Sequence, residues 1–303
     1  MENYHTPVLL NESIEGLNIN PSGIYVDVTF GGGGHSREIF SRLTTGKLIA
    51  FDQDKDALQN VIHNDRFIFV NHNFRFLKNF LRYNGFEKVD GIIADLGVSS
   101  HHFDVAQRGF SFRFDAELDM RMSEGQELTA FYVINNYSER ELYRIINSYA
   151  EIKNAGALVR TILMEREKQP VVTTAQFAEI VKRNAPKNRE NKYLAQIFQA
   201  VRMEVNQEVE ALSIFLQQTT SVLKNNARLV VLTYHSIEDR LVKNFFKTGN
   251  LEGEVVKDFY GNVLTPFELI AKKPIVASEE ENESNSRARS AKLRIAEFKN
   301  LDE

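Results

Sequence analysis

Along the first hundred positions, short continuous apolar runs alternate with apolar residues at helical spacing. Ile24–Phe30 (IYVDVTF), Leu48–Phe51, Phe67–Val70 and Val89–Leu96 (VDGIIADL) are rich in β-formers, the pattern of strands buried on both faces. Between them, Ser36–Leu43 carries Ile39, Phe40 and Leu43, and Asp56–Ile62 carries Leu58, Val61 and Ile62, which predicts a helix in each. Strands and helices in this order predict an α/β fold with a parallel, doubly wound sheet. The alternation then stops. Phe103–Gln126 is irregular, and helical patterns follow it. Ser138-Glu-Arg-Glu141 reads as a capping box ahead of Leu142, Ile145, Ile146 and Tyr149. Ala155–Lys168 and Thr174–Asn184 are each closed by a proline, and Leu194–Leu223 reads as one long helical region. Strand character returns at Arg228–Tyr234 and Lys292–Phe298, with the acidic Glu279–Ser286 between them expected as a loop. The pattern therefore predicts one sheet domain, 1–106 with 207–303, split by an all-helical insertion, 107–206.

Composition narrows the class. With 43% apolar and 26% charged residues in 303, the chain is an ordinary globular protein, large enough for a full core. No apolar run approaches the ~20 residues of a membrane helix. Cysteine is absent, which excludes disulfides, thiolate metal sites and cysteine nucleophiles. Together with the polar, acidic start Met1–His5, unlike a secretory or transit signal, this gives the expectation of a cytoplasmic protein without membrane contact. A net charge of −4 weighs against nucleic acid as a partner, but the distribution is uneven. From Glu151 to Glu204 ten Lys/Arg face six Glu, a balance of +4, and Lys182, Arg183, Lys187, Arg189 and Lys192 cluster against Glu190 alone. Such a run is either a solvated helix face or a phosphate-binding surface.

The chemistry-bearing residues sit where strands end. Asp27-Val-Thr-Phe-Gly31-Gly-Gly-Gly34-His35-Ser36 turns the first strand into the first helix, and Asp52 ends the second strand 21 residues beyond Gly31. That spacing brings a carboxylate to the ribose hydroxyls of a bound nucleotide. The dinucleotide fingerprint would place glycine where Ser36 stands, which counts against the competing reading of an NAD- or nucleotide-binding Rossmann protein. Asp95-Leu-Gly-Val-Ser99-Ser100 closes the fourth strand, and three strand-end aspartates around one crevice point to a ligand site. Tyr234-His235-Ser-Ile-Glu-Asp-Arg240 follows the fifth strand on the same rim and reads equally as a catalytic segment or as a helix N-cap with a charged first turn. His101 and His102 are adjacent, which is not a metal-ligand spacing, so no metal is expected.

These blocks, with His5-x-Pro7-Val8-Leu9-Leu10-x-Glu12, Arg108–Phe112, Leu118–Met122, Phe198–Arg202 and Arg287–Arg294, resemble the RsmH (MraW) family in family order from residue 5 to 294. The resemblance implies a class I (Rossmann-like) methyltransferase sheet with a helical insertion. It also implies S-adenosylmethionine-dependent methylation of the exocyclic amino nitrogen of a cytidine in the decoding centre of 16S rRNA. The partner would be 16S rRNA or the small ribosomal subunit, with a homodimer left open as an assembly. Carried over by motif, cofactor contacts fall on Gly33, Gly34, His35, Asp52, Phe74 and Asp95, and on His102, where the family usually has glutamine. Asp95, Ser99 and His235 are the expected catalytic residues, and Lys182, Arg183, Lys187, Arg189, Lys192 and Arg202 the expected RNA contacts. The family's His-Pro-Ala-Thr stretch is replaced here by Lys192-Tyr-Leu-Ala195.

Overall fold

The computed structural model describes residues 7–97 and 108–300. The chain forms two compact units, one of 1–97 with 209–303 and one of 98–208.

The first unit is built on a seven-stranded sheet. Its strands are β1 (Ile24–Asp27), β2 (Lys47–Phe51), β3 (Phe67–Val70), β4 (Val89–Asp95), β5 (Leu223–Thr233), β6 (Phe267–Leu269) and β7 (Lys292–Phe298), in the order β3-β2-β1-β4-β5-β7-β6. β1 to β5 are parallel, as the alternation predicts, while β7 enters antiparallel between β5 and β6. Reversal of chain order at β1 and β4 is the Rossmann-like switch point, outside which ligands lie.

Side chains alternate along a strand, so the sheet feeds two separate cores. Val26, Ile49, Ile92, Leu229 and Val231 pack with Leu77 and Leu81 of α3 (Leu77–Tyr83), Leu212, Phe215 and Leu216 of α9 (Glu208–Val222), and Phe245 and Phe246 of α10 (Ser236–Thr248). Tyr25, Leu48, Ile93, Val230 and Leu232 pack with Ile14 and Leu17 of α1 (Leu10–Leu17) and Ile39 of α2 (Gly34–Arg42). Full burial of an aromatic such as Phe215 contributes about 1.5–3 kcal/mol.

The second unit is helical: α4 (Ala130–Asn136), α5 (Glu139–Tyr149), α6 (Ala155–Lys168), α7 (Thr174–Lys182) and α8 (Glu190–Val205). The apolar stripes close on one another, with Leu142, Ile145, Ile146, Leu158, Ile162, Phe177 and Ile197 fully buried. Both halves of the Ser138–Glu141 capping box form, and Thr173–Gln176 makes a second box at the start of α7.

Three elements differ from the sequence pattern. Residues 55–60 form a 3₁₀ turn rather than an α-helix, with Ala57 its only buried side chain and too little apolar surface to support a longer helix. The region 194–223 is two helices. Asn206 spends its side chain on Met122 N–H (2.7 Å), Met120 C=O (2.8 Å) and Arg202 C=O (2.9 Å), and Gln207 turns left-handed at φ 50°. Glu279–Ser284 is helix α11, not a loop: Ser278 caps it, and three glutamates occupy its first turn, where the helix dipole favours negative charge.

Candidate active site

The glycine turn is fastened to the end of β2. Asp52 Oδ2 accepts Gly31 N–H at 2.7 Å and Oδ1 accepts Asp54 N–H at 2.8 Å. Phe30 N–H reaches Phe51 C=O (2.9 Å), and Asn60 Nδ2 donates to Gly31 C=O (3.0 Å). Gly31 and Gly33 hold φ of 49° and 76°, the left-handed region that costs glycine little. Gly34 has a packing reason as well: a Cβ there would lie 2.1 Å from Pro7 Cγ. Asp52 accepts a backbone N–H on each oxygen, and a carboxylate is an acceptor suited to a ligand's hydroxyls.

Asp27, 2% exposed, ends β1 beneath the turn. It accepts Ser36 Oγ–H at 2.7 Å and Thr29 N–H at 3.0 Å. Burial pushes its carboxyl above the ordinary aspartate range, opposed by the Ser36 bond and the neighbouring His35. Ser36, which breaks the dinucleotide fingerprint, thus supplies a donor that glycine cannot. Burial pushes His35 down, so the ring is neutral near pH 7, and its Nδ1 lies 3.7 Å from Asp95 Oδ2.

Asp95 is the hub. Its N–H donates to Thr29 Oγ1 at 2.6 Å, and its Oδ1 accepts the Tyr234 hydroxyl at 2.6 Å. Burial raises its pKa to about 7; the nearby Glu238 carboxylate adds to the rise and the Tyr234 bond opposes it. Near neutral pH this group therefore exchanges between an acceptor-only carboxylate and a carboxylic acid. Among the described residues, neither Asp27 nor Asp95 has a Lys or Arg ion partner, so the rim suits a ligand carrying positive charge. Phe74, in a 3₁₀ turn capped by Asn73, meets Phe215 edge-on at 5.5 Å and is half-buried.

The residues carried over from the sequence do not all gather here. Gly33, Gly34, His35, Asp52 and Asp95 line the ends of β1, β2 and β4 as described. Ser99 and His102 lie outside the described residues. His235 is the N-cap of α10: its ring nitrogen accepts Glu238 N–H at 3.4 Å, and Nε2 stands 3.0 Å from Glu238 Oε1. The rest of that segment is also engaged. Glu238 accepts Tyr234 N–H at 3.0 Å, and Asp239 holds Lys292 (3.1 Å) and Arg294 (2.7 Å). Sequence reasoning gives no role to Thr29 or Tyr234, and notes Ser36 only as the residue that breaks the dinucleotide fingerprint. All three lie in the quoted motifs, but only strand pairing reveals which atoms they meet.

In the helical unit, Lys182, Arg183, Lys187, Arg189 and Lys192 are exposed. Lys182 pairs with Glu179 (2.5 Å) and Arg183 with Glu165 (2.7 Å), while Lys187, Arg189 and Lys192 make no ion pair with a described residue. Arg202 differs from the others. It is 8% exposed, and Glu208 takes its guanidinium at 2.8 and 2.9 Å, which removes it from the exposed basic set.

Comparison with known proteins adds an independent line. The chain is 57% identical to a protein of Flavobacterium johnsoniae named ribosomal RNA small subunit methyltransferase H, over 97% of both chains. Proteins of the same name from Phocaeicola vulgatus (57% identical, 97% of both chains) and Bacteroides fragilis (56%, 98% of both chains) are similarly related. The pattern of the MraW methylase family matches residues 2–299, nearly the whole length that carries the glycine turn, the strand-end aspartates and the helical unit. The chain belongs to the MraW methylase family.

Proposed function

We propose that this enzyme transfers a methyl group from S-adenosylmethionine to the exocyclic amino nitrogen of a cytidine in small-subunit ribosomal RNA, in the decoding centre. The sheet is that of a class I methyltransferase, and the cofactor is S-adenosylmethionine. Family membership sets aside the NAD-binding alternative. The observation that carries the reading is Asp95, a strand-end carboxyl with a pKa of about 7. It stands beside a crevice whose Asp27 and Asp95 have no Lys or Arg ion partner among the described residues.

When bound, S-adenosylmethionine supplies an electrophilic methyl group on a positively charged sulfur. Its hydroxyls match Asp52, its aromatic base matches the half-buried face of Phe74, and its positive charge matches the Asp27–Asp95 rim. Asp95, when ionised, would accept an N–H of the target amine and hold the nitrogen for in-line attack on that methyl group, and the surplus proton would pass from the nitrogen to solvent after transfer. Ser99 and His235 are further rim candidates from the sequence, but the His235 ring is already engaged as a helix cap. The complete lack of cysteine agrees with an amine target, since methylating a pyrimidine ring carbon normally proceeds through a cysteine adduct. In the helical unit, Lys187, Arg189 and Lys192 are the cations we assign to RNA phosphates, with Lys182 and Arg183 exchanging their glutamate partners for phosphate.

The direct test is nucleoside mass spectrometry of small-subunit rRNA from cells with and without the gene. A methylated cytidine that disappears on deletion and returns on complementation is expected; an unchanged nucleoside profile refutes the substrate. Asp52→Ala should weaken S-adenosylmethionine binding by about 1.5–3 kcal/mol in calorimetry, the range for hydrogen bonds to a charged group. A parental dissociation constant removes Asp52 from the cofactor site. Asp95→Asn should lower kcat and kcat/KM together, as expected when an interaction made in the transition state is removed. If only cofactor affinity changes, Asp95 binds but does not orient. Replacing Lys187, Arg189 and Lys192 by alanine should weaken RNA binding. The log–log salt dependence should also become shallower, by roughly 0.7–0.9 for each phosphate no longer neutralised. Parental salt dependence in that triple variant means these side chains only solvate the surface.

A further inference from the structure

Tyr234 stands immediately after β5, beside the end of β4, and its hydroxyl donates to Asp95 Oδ1 at 2.6 Å. Two further contacts fix that geometry. Tyr234 N–H is held by Glu238 Oε2 at 3.0 Å, and the ring passes Gly97, where a Cβ would stand 3.5 Å from Tyr234 Cδ2. Burial and the Asp95 carboxyl hold the phenol proton well above the ordinary tyrosine range, so the hydroxyl is a donor at every pH the enzyme meets.

We propose that Tyr234 is a positioning residue for the reaction: its hydrogen bond fixes the rotation of the Asp95 carboxyl group and favours the carboxylate that accepts the target amine. The inference rests on the orienting role given to Asp95 above. It concerns a residue 139 positions away in sequence that reaches the reacting atoms only through that carboxylate.

The groups around Asp95 make a donor necessary. From α2 comes His35, neutral because it is buried; from β1 comes Asp27; from α10 comes Glu238. Glu281 of α11 bears on Tyr234 itself. Two of the facing groups are carboxyls, which disfavour a further negative charge, and burial disfavours it more. Against these, the side-chain bond that favours ionised Asp95 comes from Tyr234. With that bond in place the carboxyl titrates at about 7. The bond lowers the pKa, so its loss must raise it and leave less carboxylate at neutral pH.

The test is the pH dependence of methyl transfer to small-subunit rRNA by Tyr234→Phe, which keeps the ring and removes only the donor. The acidic limb of kcat/KM should move up by about one pH unit, lowering activity at pH 7 about fivefold while activity at pH 9 stays close to parental. S-adenosylmethionine affinity and Tm, measured alongside, should be near parental. A merely structural tyrosine would instead lower activity by the same factor at every pH. In the Asp95→Asn background, Tyr234→Phe should have no further effect, because the two act through one group. An unmoved acidic limb in Tyr234→Phe, beside an impaired Asp95→Asn, overturns the role of Tyr234 alone. Parental turnover of Asp95→Asn overturns the orienting role of Asp95, and the inference falls with it.

Discussion

Asp27 pairs in register with Ala50 of β2 and with Ile93 of β4, so Thr29, Asp52 and Asp95 arrive at one level, two residues beyond those paired positions. Everything at the rim depends on this alignment. It lets Thr29 Oγ1 take the Asp95 N–H and brings the end of β2 under the glycine turn, where Asp52 takes the Gly31 N–H. Side chains alternate with a period of two, so a slip of one residue on β4 would turn Asp95 to the opposite face and send Ile92 and Ile93 into each other's cores. Register is therefore enforced by burial on both faces of the sheet. The site inherits its precision from hydrophobic packing that never touches a ligand.

That packing also sets the electrostatics. A carboxylate taken out of water costs free energy unless donors or cations replace the missing hydration. Asp27 receives Ser36 and Thr29, and Asp95 receives Tyr234, but burial still outweighs these bonds and both carboxyls titrate high. The protein keeps Arg and Lys for other carboxylates: Asp239 has Lys292 and Arg294, Glu208 has Arg202, and Asp119 has Arg121. In the first and last of these, basic partners hold the carboxyl below its ordinary range, the opposite of Asp95. With no Lys or Arg paired to Asp27 or Asp95 among the described residues, the rim suits a ligand that carries positive charge.

Much of this is legible in the chain because its signals are local. β3 and β7 run from Phe67 to Val70 and from Lys292 to Phe298, as the apolar runs indicate, and α6 spans Ala155–Lys168. A continuous buried run admits few alternatives. The strand-end aspartates are visible for the same reason, since each closes such a run. What escapes depends on partners distant in sequence. Asn206 has no unusual local pattern, and it ends α8 only because the backbone at Met120 and Met122, more than eighty residues earlier, offers it hydrogen bonds. The turn at Asn206 and Gln207 then brings Glu208 back onto Arg202, so a residue that reads as an exposed cation is buried in an ion pair. Tyr234 and Asp95 are 139 residues apart, and only the pairing of β4 with β5 makes them neighbours.

The charge of the chain is unevenly shared between its two units. A crevice that accepts a cationic cofactor needs net negative potential, while a surface for phosphates needs the reverse. Here the carboxyl-rich rim belongs to the sheet unit, and the exposed stretch of Lys187, Arg189 and Lys192 belongs to the helical unit. A net charge of −4 averages over these two surfaces and describes neither. The helical unit has a core of its own, in which Leu142, Ile145, Ile162, Phe177 and Ile197 are fully buried. Exposed cations on α8 and the turn before it repel one another only weakly in water, so the cost falls on a surface whose fold is fixed elsewhere.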